Sequence, residues 1–288
     1  MHKPWNEQVV LITGATSGIG YEAAITIASL RTAGVGPRVV IVGRSPEKTA
    51  RCLEEVRQAS GSERVESLLC DFESLASIRA LAAAFRHRYE RLDILLNNAG
   101  TIYASRRLTR DGFEATFAVN HLGYFLLTNL LLDLVQASAP ARIVSVASAG
   151  HHRGTMDLAD LHFERGYSTT AAYCRSKLAN VLFTRELARR TAGSGVTVTC
   201  LHPGTVSTGI WDHAPRWAGP ILWLPRKLLL SQKQGASTLV HAATDPSVEG
   251  VTGVYFERKA PVRPSALALD DGLAARLWAA SEAMTGLG

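Results

Sequence analysis

Residues 9–20 read VVLITGATSGIG, an apolar run that leads straight into a glycine-rich turn. The run predicts a strand buried on both faces, and the residues after the turn predict a helix. The glycines meet different needs: a tight turn at Gly14, a close approach of backbone to a bound group at Gly18, and close helix–sheet packing at Gly20. Free N–H groups at the start of the helix favour phosphate. The stretch therefore predicts a dinucleotide site, whose expected contacts are Gly14, Thr16, Ser17, Gly18, Ile19 and Gly20.

Similar apolar runs, rich in Val and Ile, recur along the chain between amphipathic segments. They predict further strands over about 39–42, 65–69, 94–96, 143–146, 196–201 and 254–256. The segments between them predict helices over about 19–33, 46–59, 74–89, 112–135, 171–192 and 232–244. Because strand and helix alternate, the sequence predicts an α/β fold, a Rossmann-type doubly wound parallel sheet of about seven strands with helices on both faces.

No internal repeat and no Ser/Gly-rich linker interrupts this pattern, so we expect a single domain over residues 1–288. The segment 203–231 differs, because it carries four prolines and three tryptophans: Pro203, Pro215, Pro220, Pro225, Trp211, Trp217 and Trp223. Loops of this length are unusual unless they are functional. The tryptophans fit either a core or a lid, and we interpret the segment as a substrate-binding loop or lid. Residues 217–231 are also apolar and basic, which is compatible with peripheral membrane contact.

Composition excludes several classes of protein. With 47% hydrophobic and 19% charged residues, the chain is neither disordered nor collagen-like. No stretch approaches about 18 uninterrupted apolar residues, and the first residues lead almost directly into a strand, so we expect neither a transmembrane segment nor a signal peptide. The four cysteines lie far apart, which argues against disulfides and zinc sites and suits a reducing, cytoplasmic location.

The formal net charge of +6 suits an anionic partner, and a phosphorylated cofactor is sufficient to account for it. The arginines form short clusters rather than the concentrated basic stripe that nucleic-acid binding needs, so we expect no nucleic-acid partner. His151, His152 and His162 lack further ligands at useful spacing. We interpret them as surface or loop residues and expect no metal.

The end of the second strand indicates which dinucleotide is bound. An NAD site has a carboxylate there for the ribose 2′-hydroxyl, whereas this sequence has Gly43-Arg44. Arg44 supplies a permanent charge for a 2′-phosphate, so NADP(H) is favoured. Asp71 and Phe72 close the third strand, where Asp71 is expected to accept a hydrogen bond from the adenine amino group. The fourth strand ends with residues that we place beside the cofactor: Asn98, Ala99 and Gly100.

Tyr173 and Lys177 lie four residues apart near the start of a predicted helix, so they share one face of it. Such a pair alone is common and usually structural. Here it accompanies Ser148, which ends the fifth strand and is placed to orient a carbonyl group. Lowering a phenol pKa from about 10 to about 7 needs about 4 kcal/mol, which a nearby ammonium and a cationic nicotinamide would supply.

Two further groups of polar or small residues complete the candidate site. Asn120 begins a strongly apolar helix, where an inward amide is costly unless it is paired. The residues after the sixth strand are expected to lie beside the nicotinamide: Pro203, Gly204, Val206 and Thr208.

These motifs together resemble the short-chain dehydrogenase/reductase superfamily: the Thr-Gly-x-x-x-Gly-Ile-Gly turn, Asn97-Asn98-Ala99-Gly100, Ser148, Tyr173-x-x-x-Lys177 and Pro203-Gly204. Residues 119–123 (VNHLG), residues 176–183 (SKLANVLF) and the tail over 253–278 resemble its retinol dehydrogenase-like branch. The resemblance implies that Tyr173 donates or accepts a proton and that Lys177 binds the nicotinamide ribose and lowers the tyrosine pKa. It also implies that Ser148 positions the carbonyl and that Asn120 holds a water in a proton relay.

The sequence therefore predicts an NADP(H)-dependent oxidoreductase that moves a hydride between nicotinamide and the carbonyl or alcohol carbon of an apolar aldehyde, ketone or retinoid-like alcohol. Two alternatives stay open. A carbon–carbon double-bond reductase has a related fold and the same Tyr/Lys pair, and a non-catalytic protein could use NADP(H) occupancy as a signal. The expected partner is an apolar small molecule, and a homo-oligomer is compatible with the sequence.

Overall fold

The computed structural model describes residues 3–204 and 230–287, and its strands join in one sheet. They are β1 (Val9–Thr13), β2 (Arg38–Gly43), β3 (Val65–Leu69), β4 (Ile94–Asn97), β5 (Ala141–Val146), β6 (Val196–His202), β7 (Val254–Glu257) and β8 (Ala260–Val262). The strand order is β3-β2-β1-β4-β5-β6-β7-β8. Neighbours from β3 to β7 pair in parallel, and β8 pairs antiparallel with β7.

Helices cover both faces of this sheet. They are α1 (Gly18–Ala28), α2 (Pro46–Ser60), α3 (Leu75–Arg88), α4 (Ala115–Phe117), α5 (Gly123–Ala137), α6 (Thr169–Arg190), α7 (Gln232–Thr244) and α8 (Asp271–Thr285). A π-helical turn, Ala118–Leu122, joins α4 to α5. Val10 and Ile12 of β1 pack with α1 and α7, whereas Val9 and Leu11 pack with α3 and α5. Alternate residues of the strand thus face opposite helical layers.

The predicted doubly wound α/β fold is confirmed, and local signals mark several helix ends. At the start of α2, the Ser45 hydroxyl accepts a hydrogen bond from the N–H of Lys48 (3.4 Å), and Pro46 occupies the first turn. The helix predicted over about 19–33 ends earlier, at Ala28. The chain turns back on itself beyond it, where Thr32 and Val35 pair in a short bridge.

The described sheet has eight strands, against the predicted number of about seven, because the sequence pattern does not reveal β8. This strand has three exposed residues around Pro261 and therefore no alternation of buried and exposed positions. Arg258 and Lys259, both at positive φ, form the turn that brings it back along β7. The sequence pattern also does not reveal α8, although Asp270 caps it by accepting a hydrogen bond from the N–H of Leu273 (2.8 Å).

Within the described residues, the helix Ala115–Ala137 is long and apolar enough, by length and composition, to cross a membrane. In the fold, 72% of its most apolar 18-residue window is buried inside the protein. Leu126, Leu127 and Leu131 belong to the core between the sheet and α3. These are the surroundings of a core helix.

The C-terminal helix α8 completes the core on one face of the sheet. Leu277 is only 1% exposed and packs in a cluster with α6 and β7. The Trp278 ring stacks on Phe183 of α6, with ring centroids 5.8 Å apart, and meets Phe125 edge-on. The tail is therefore an integral part of the domain.

We expect Leu277→Ala to lower the free energy of unfolding by about 2–5 kcal/mol, because it leaves a cavity between α8 and α6. Leu267→Ala is the matched control: this leucine lies in the same tail but is 37% exposed, so its loss should cost within about 0.5 kcal/mol. Urea denaturation of both variants measures the difference. Equal, small effects would mean that α8 is not docked on the core.

Candidate active site

Thr13, the last residue of β1, fastens β1 to the end of β4. Its hydroxyl donates to the carbonyl of Leu96 (3.1 Å) and accepts from the N–H groups of Asn98 (2.9 Å) and Ala99 (3.1 Å). The Asn98 side-chain amide donates in turn to the carbonyls of Thr13 (2.8 Å) and Gly14 (2.9 Å). Asn98, predicted beside the cofactor, thus has a demonstrated structural role in shaping the turn.

The predicted glycine turn is tight enough to exclude side chains. Gly14 has φ +64°, and a Cβ there would lie 2.6 Å from the Cα of Ala99. A Cβ on Gly20 would lie 2.3 Å from the amide nitrogen of Asn98. Both positions therefore require glycine, one for the turn and one for the approach of α1 to the sheet.

The N-terminus of α1 opens at this turn with its N–H groups available. Ser17, the N-cap residue, makes no side-chain hydrogen bond to the helix end, and the first turn carries no acidic residue. Gly18 begins the helix at φ +64°, between partly exposed Thr16 and buried Ile19. Backbone donors and the helix dipole thus fit the pyrophosphate of a dinucleotide.

Gly43 and Arg44 occupy the adjacent strand end, where the sequence predicts the 2′-phosphate contact. A Cβ on Gly43 would lie 2.2 Å from Thr49 Oγ1 and 2.4 Å from Thr16 Cγ2, so packing leaves no room there for the carboxylate of an NAD site. The Arg44 side chain is 64% exposed, and its guanidinium lies 3.3 Å from a carboxylate oxygen of Glu73. Arg44 is therefore positioned to bind an anionic group at this strand end.

Sequence reasoning missed Glu73, which organises this end of the crevice. Its carboxylate, 13% exposed, also accepts from the hydroxyl of Tyr103 and pairs with Arg107. Burial, and then Glu73, raise the pKa of Tyr103 to about 12. Glu73 could have been found from the sequence, because it lies two residues after Asp71, just beyond the end of β3. Nothing in the local pattern indicates Arg107, which belongs to a loop far away in the sequence.

Asp71 and Phe72 follow β3 with different orientations. The Asp71 carboxylate accepts from the N–H of Glu73 (3.1 Å) and lines a cavity with Arg44, Ser77 and Arg110. The Phe72 side chain is buried in the core instead, and a Cβ on Gly123 would lie 2.6 Å from its ring. If Phe72 contacts a cofactor, it must therefore do so through its backbone.

Tyr173 and Ser148 come together as predicted. Tyr173 lies in the first turns of α6, which Ser168 caps by accepting from the N–H of Ala171 (3.1 Å). Ser148 follows β5, and its hydroxyl accepts from the N–H of Gly150 (3.1 Å). The Ser148 side chain is hydrogen-bonded to the Tyr173 hydroxyl. Burial raises the pKa of Tyr173, and the bond to Ser148 opposes that rise.

Lys177 lies one helical turn beyond Tyr173, and its ammonium is 5.7 Å from the centre of the tyrosine ring. The side chain is 2% exposed, and Nζ donates to the carbonyl of Val146 at the end of β5 (2.9 Å). Burial lowers the pKa of Lys177 to about 7. Strongly shifted pKa values of this kind are concentrated at functional sites.

Asn120 lies in the π-helical turn, and its amide is fully paired. Its oxygen accepts from the N–H of Thr101 (2.8 Å), and its nitrogen donates to the Thr101 carbonyl (2.9 Å) and to Ser176 Oγ (3.0 Å). A Cβ on Gly100 would lie 3.4 Å from the Asn120 oxygen and 3.7 Å from the Lys177 ammonium. The Asn120 oxygen and the Lys177 ammonium therefore both lie near Gly100, and the role of Asn120 in a proton relay stays a prediction.

The residues after β6 are only partly described. Pro203 and Gly204 follow the strand, and Gly204 has φ +88° with Leu230 packed where a Cβ would be, at 2.3 Å. Val206, Thr208 and most of the proposed lid 203–231 lie outside the described residues. The predicted nicotinamide contacts at these two positions stay predictions.

Comparison with known proteins agrees with this geometry. A family model described as short chain dehydrogenase matches residues 8–219. Human retinol dehydrogenase 13 is 41% identical over 289 residues, which cover 97% of this chain and 85% of that protein. Human polyprenol dehydrogenase is 38% identical, covering 99% of this chain and 87% of its own.

Solved structures give the same fold. An uncharacterised protein from Mycobacterium paratuberculosis superposes with a TM-score of 0.78 at 33% identity, covering 98% of this chain and 95% of that one. Actinorhodin polyketide ketoreductase with NADPH (TM-score 0.67, 27% identity) covers 88% of this chain and 97% of its own. A 3-ketoacyl-(acyl-carrier-protein) reductase from Brucella melitensis with NADH (TM-score 0.67, 25% identity) covers 88% and 96%.

The glycine turn, the Ser148–Tyr173 pair and these similarities lead to one conclusion. The chain belongs to the short-chain dehydrogenase/reductase superfamily and, within it, to the retinol dehydrogenase-like branch, whose members are oxidoreductases that act on alcohols or carbonyls with a nicotinamide cofactor.

Proposed function

We propose that this protein is an NADP(H)-dependent oxidoreductase that transfers a hydride between nicotinamide and the carbonyl or alcohol carbon of an apolar substrate. The observation that carries the proposal is the hydrogen bond between the Ser148 and Tyr173 hydroxyls, with Lys177 one helical turn away. This group stands at the carboxyl edge of the same sheet whose glycine turn suits a pyrophosphate.

When bound, a nicotinamide cofactor supplies or accepts the hydride. The chain itself holds the carbonyl and moves the proton. In reduction, Ser148 donates a hydrogen bond to the carbonyl oxygen and Tyr173 transfers its phenolic proton to that oxygen. Burial raises the pKa of Tyr173 and so favours its acid form, while Lys177, with its pKa lowered to about 7, can restore the proton.

The preference for NADP(H) is supported by the charges around Arg44. Its cavity is lined by three guanidinium groups and two carboxylates: Arg44, Arg107, Arg110, Asp71 and Glu73. The excess positive charge favours a 2′-phosphate, and arginine binds phosphate through paired hydrogen bonds. Glu73 pairs with Arg44 and Arg107, so a phosphate would compete with that carboxylate for both.

An apolar substrate is supported by the names of the relatives, retinol dehydrogenase 13 and polyprenol dehydrogenase. Both names refer to hydrophobic alcohols. The Trp- and Pro-rich segment 203–231 is our candidate for the loop or lid that would select such a substrate. We also propose a cytoplasmic location, with peripheral membrane contact through residues 217–231.

Purified protein with NADPH and a panel of lipophilic aldehydes and ketones should oxidise the cofactor and yield the alcohol. We expect Tyr173→Phe to lower kcat by about 100-fold to 10,000-fold, because the proton donor is lost. Tyr89→Phe is the control, since it removes one hydroxyl that bonds to Glu66 (2.8 Å), away from the site. Product analysis distinguishes a saturated carbon–carbon bond from an alcohol. Absence of turnover, with Tyr173→Phe matching the parent, would refute an enzymatic role.

Arg44→Ala should raise the KM for NADPH by about 10-fold to 150-fold and leave that for NADH nearly unchanged, because a charged hydrogen bond contributes about 1.5–3 kcal/mol. Arg51→Ala is the matched control: Arg51 is 72% exposed on α2 and pairs with Glu55. Steady-state kinetics with both cofactors gives the ratio. Equal effects of Arg44→Ala on NADPH and NADH would remove the basis for the NADP(H) preference.

The buried lysine predicts a pH dependence of stability. Because the folded-state pKa of Lys177 is lowered to about 7, the unfolded chain binds more protons than the folded one between about pH 7 and about pH 10.4. The unfolding free energy of the parent should therefore rise with pH across this window relative to Lys177→Met, and the difference should level off below pH 7. Denaturation at several pH values measures it. A flat difference would indicate an ordinary lysine pKa.

A further inference from the structure

His151 lies in the short 3-10 turn Ala149–Arg153, directly after the candidate catalytic serine. The sequence predicts that His151 is a surface or loop residue. The prediction of a surface position is wrong, because the His151 side chain is 0% exposed. His152, next to it, is exposed. Its Nδ1 lies 2.7 Å from the carbonyl oxygen of Ser148, and its backbone N–H donates to the same oxygen (3.1 Å). Both the side chain and the backbone of His151 are thus hydrogen-bonded to the Ser148 carbonyl.

The other ring nitrogen identifies the tautomer. The backbone N–H of Ser265 donates to His151 Nε2 (3.1 Å). A backbone N–H can only donate, so Nε2 must be an unprotonated acceptor. The proton of the neutral ring is then on Nδ1, from which it is donated to Ser148. Both nitrogens are used, which fixes the plane and rotation of the ring.

The partner at Nε2 belongs to the C-terminal tail that the sequence pattern left unassigned. Ser265 follows β8, and Ala268, three residues later, is 0% exposed in a core cluster with Ala147 and Leu161. Its N–H donor is therefore part of a packed segment. His151 connects this segment to the residue whose hydroxyl is bonded to Tyr173.

The surroundings on balance disfavour the charged form of the ring. Tyr255 of β7 packs on it with ring centroids 4.7 Å apart, and His152 at 4.0 Å. Burial lowers the pKa of His151; the bond to Ser148 and the carboxylate of Glu257 on β7 oppose this, while His152 and His202 of β6 add to it. Protonation of Nε2 would abolish its acceptor role towards Ser265.

We propose that His151 is a positioning residue, which sets the Ser148 hydroxyl against Tyr173 by tying the Ser148 carbonyl to the C-terminal segment at Ser265. The proposal rests on the proposed function for its kinetic consequence but not for its geometry. Because the Ser148 bond lowers the pKa of Tyr173, a loosened Ser148 should raise it. Other titratable groups face Tyr173. The charge of Cys174 would also raise its pKa, Tyr124 and Tyr255 interact with it electrostatically, and the Lys177 ammonium lies 5.7 Å from its ring.

The geometry is tested without activity by NMR of the ¹⁵N-labelled full chain. Long-range ¹H–¹⁵N correlations distinguish the two tautomers, and the His151 signals are those lost in His151→Leu. We expect a neutral ring with the proton on Nδ1 across pH 6–8. A proton on Nε2, or a charged ring at pH 7, would overturn the proposal.

The consequence is tested by pH profiles of kcat/KM for alcohol oxidation with NADP⁺, where Tyr173 must accept a proton. His151→Leu should lower kcat/KM by about 10-fold to 100-fold, through misplacement of Ser148, and move the acidic limb to higher pH. His151→Asn keeps an N–H that can donate to the Ser148 carbonyl. It should therefore restore part of kcat/KM and return the acidic limb towards its pH in the parent. His87→Leu, which replaces an exposed histidine on α3, should leave both unchanged.

The outcomes separate the two proposals. If His151→Leu and His151→Asn are equally active and their acidic limbs coincide with that of the parent, His151 does not position Ser148. If the parent itself turns over no alcohol or carbonyl with either cofactor, the proposed function fails, and the NMR tautomer alone decides whether the histidine makes the link.

Discussion

The hydroxyl of Thr13 is the contact on which the crevice depends. It bonds the ends of β1 and β4 at the point where the chain must turn away from both strands, and so it sets the separation of the two loops. Because Gly14 and Gly20 lack side chains, the backbone of the turn and the start of α1 approach Ala99 and Asn98 closely. The parallel sheet then brings Ser148 and the Lys177 ammonium, which is bonded to the end of β5, to the same edge.

The site concentrates groups that a stability-optimised core would exclude. Lys177 is buried, and its ammonium donates to the Val146 carbonyl. Burial lowers the pKa of Lys177 and raises that of Tyr173. Both shifts favour the neutral forms. A phenol that is protonated and an amine that titrates near neutrality suit proton transfer better than a fixed ion pair, which would hold its proton in one place.

Much of this could be predicted from the sequence, because it depends on local patterns. Three of these patterns each depend on residues that are close together in the sequence. They are the turn of residues 9–20, the Gly43-Arg44 pair and the four-residue spacing of Tyr173 and Lys177. Even so, the reason for Gly43 differs in part from the electrostatic one: Thr16 and Thr49 already fill the space of a side chain. Steric facts of this kind involve residues that only the fold brings together.

The remaining features depend on contacts across long stretches of chain. Glu73 meets Tyr103 and Arg107, and His151 meets Ser265, more than one hundred residues later. No periodicity links such pairs. The side chain of Phe72 likewise turns into the core because Gly123 offers a space beside its ring. Sequence patterns place each residue on an element, and packing then decides which way it faces.

The most direct test of the account is a crystal structure of the full chain with NADP(H). The account predicts the pyrophosphate against the N-terminus of α1 at Gly18, the 2′-phosphate in contact with Arg44, and the nicotinamide ring beside Tyr173. A dinucleotide bound elsewhere on the molecule, or one whose nicotinamide ring points away from Tyr173 and Ser148, would contradict it.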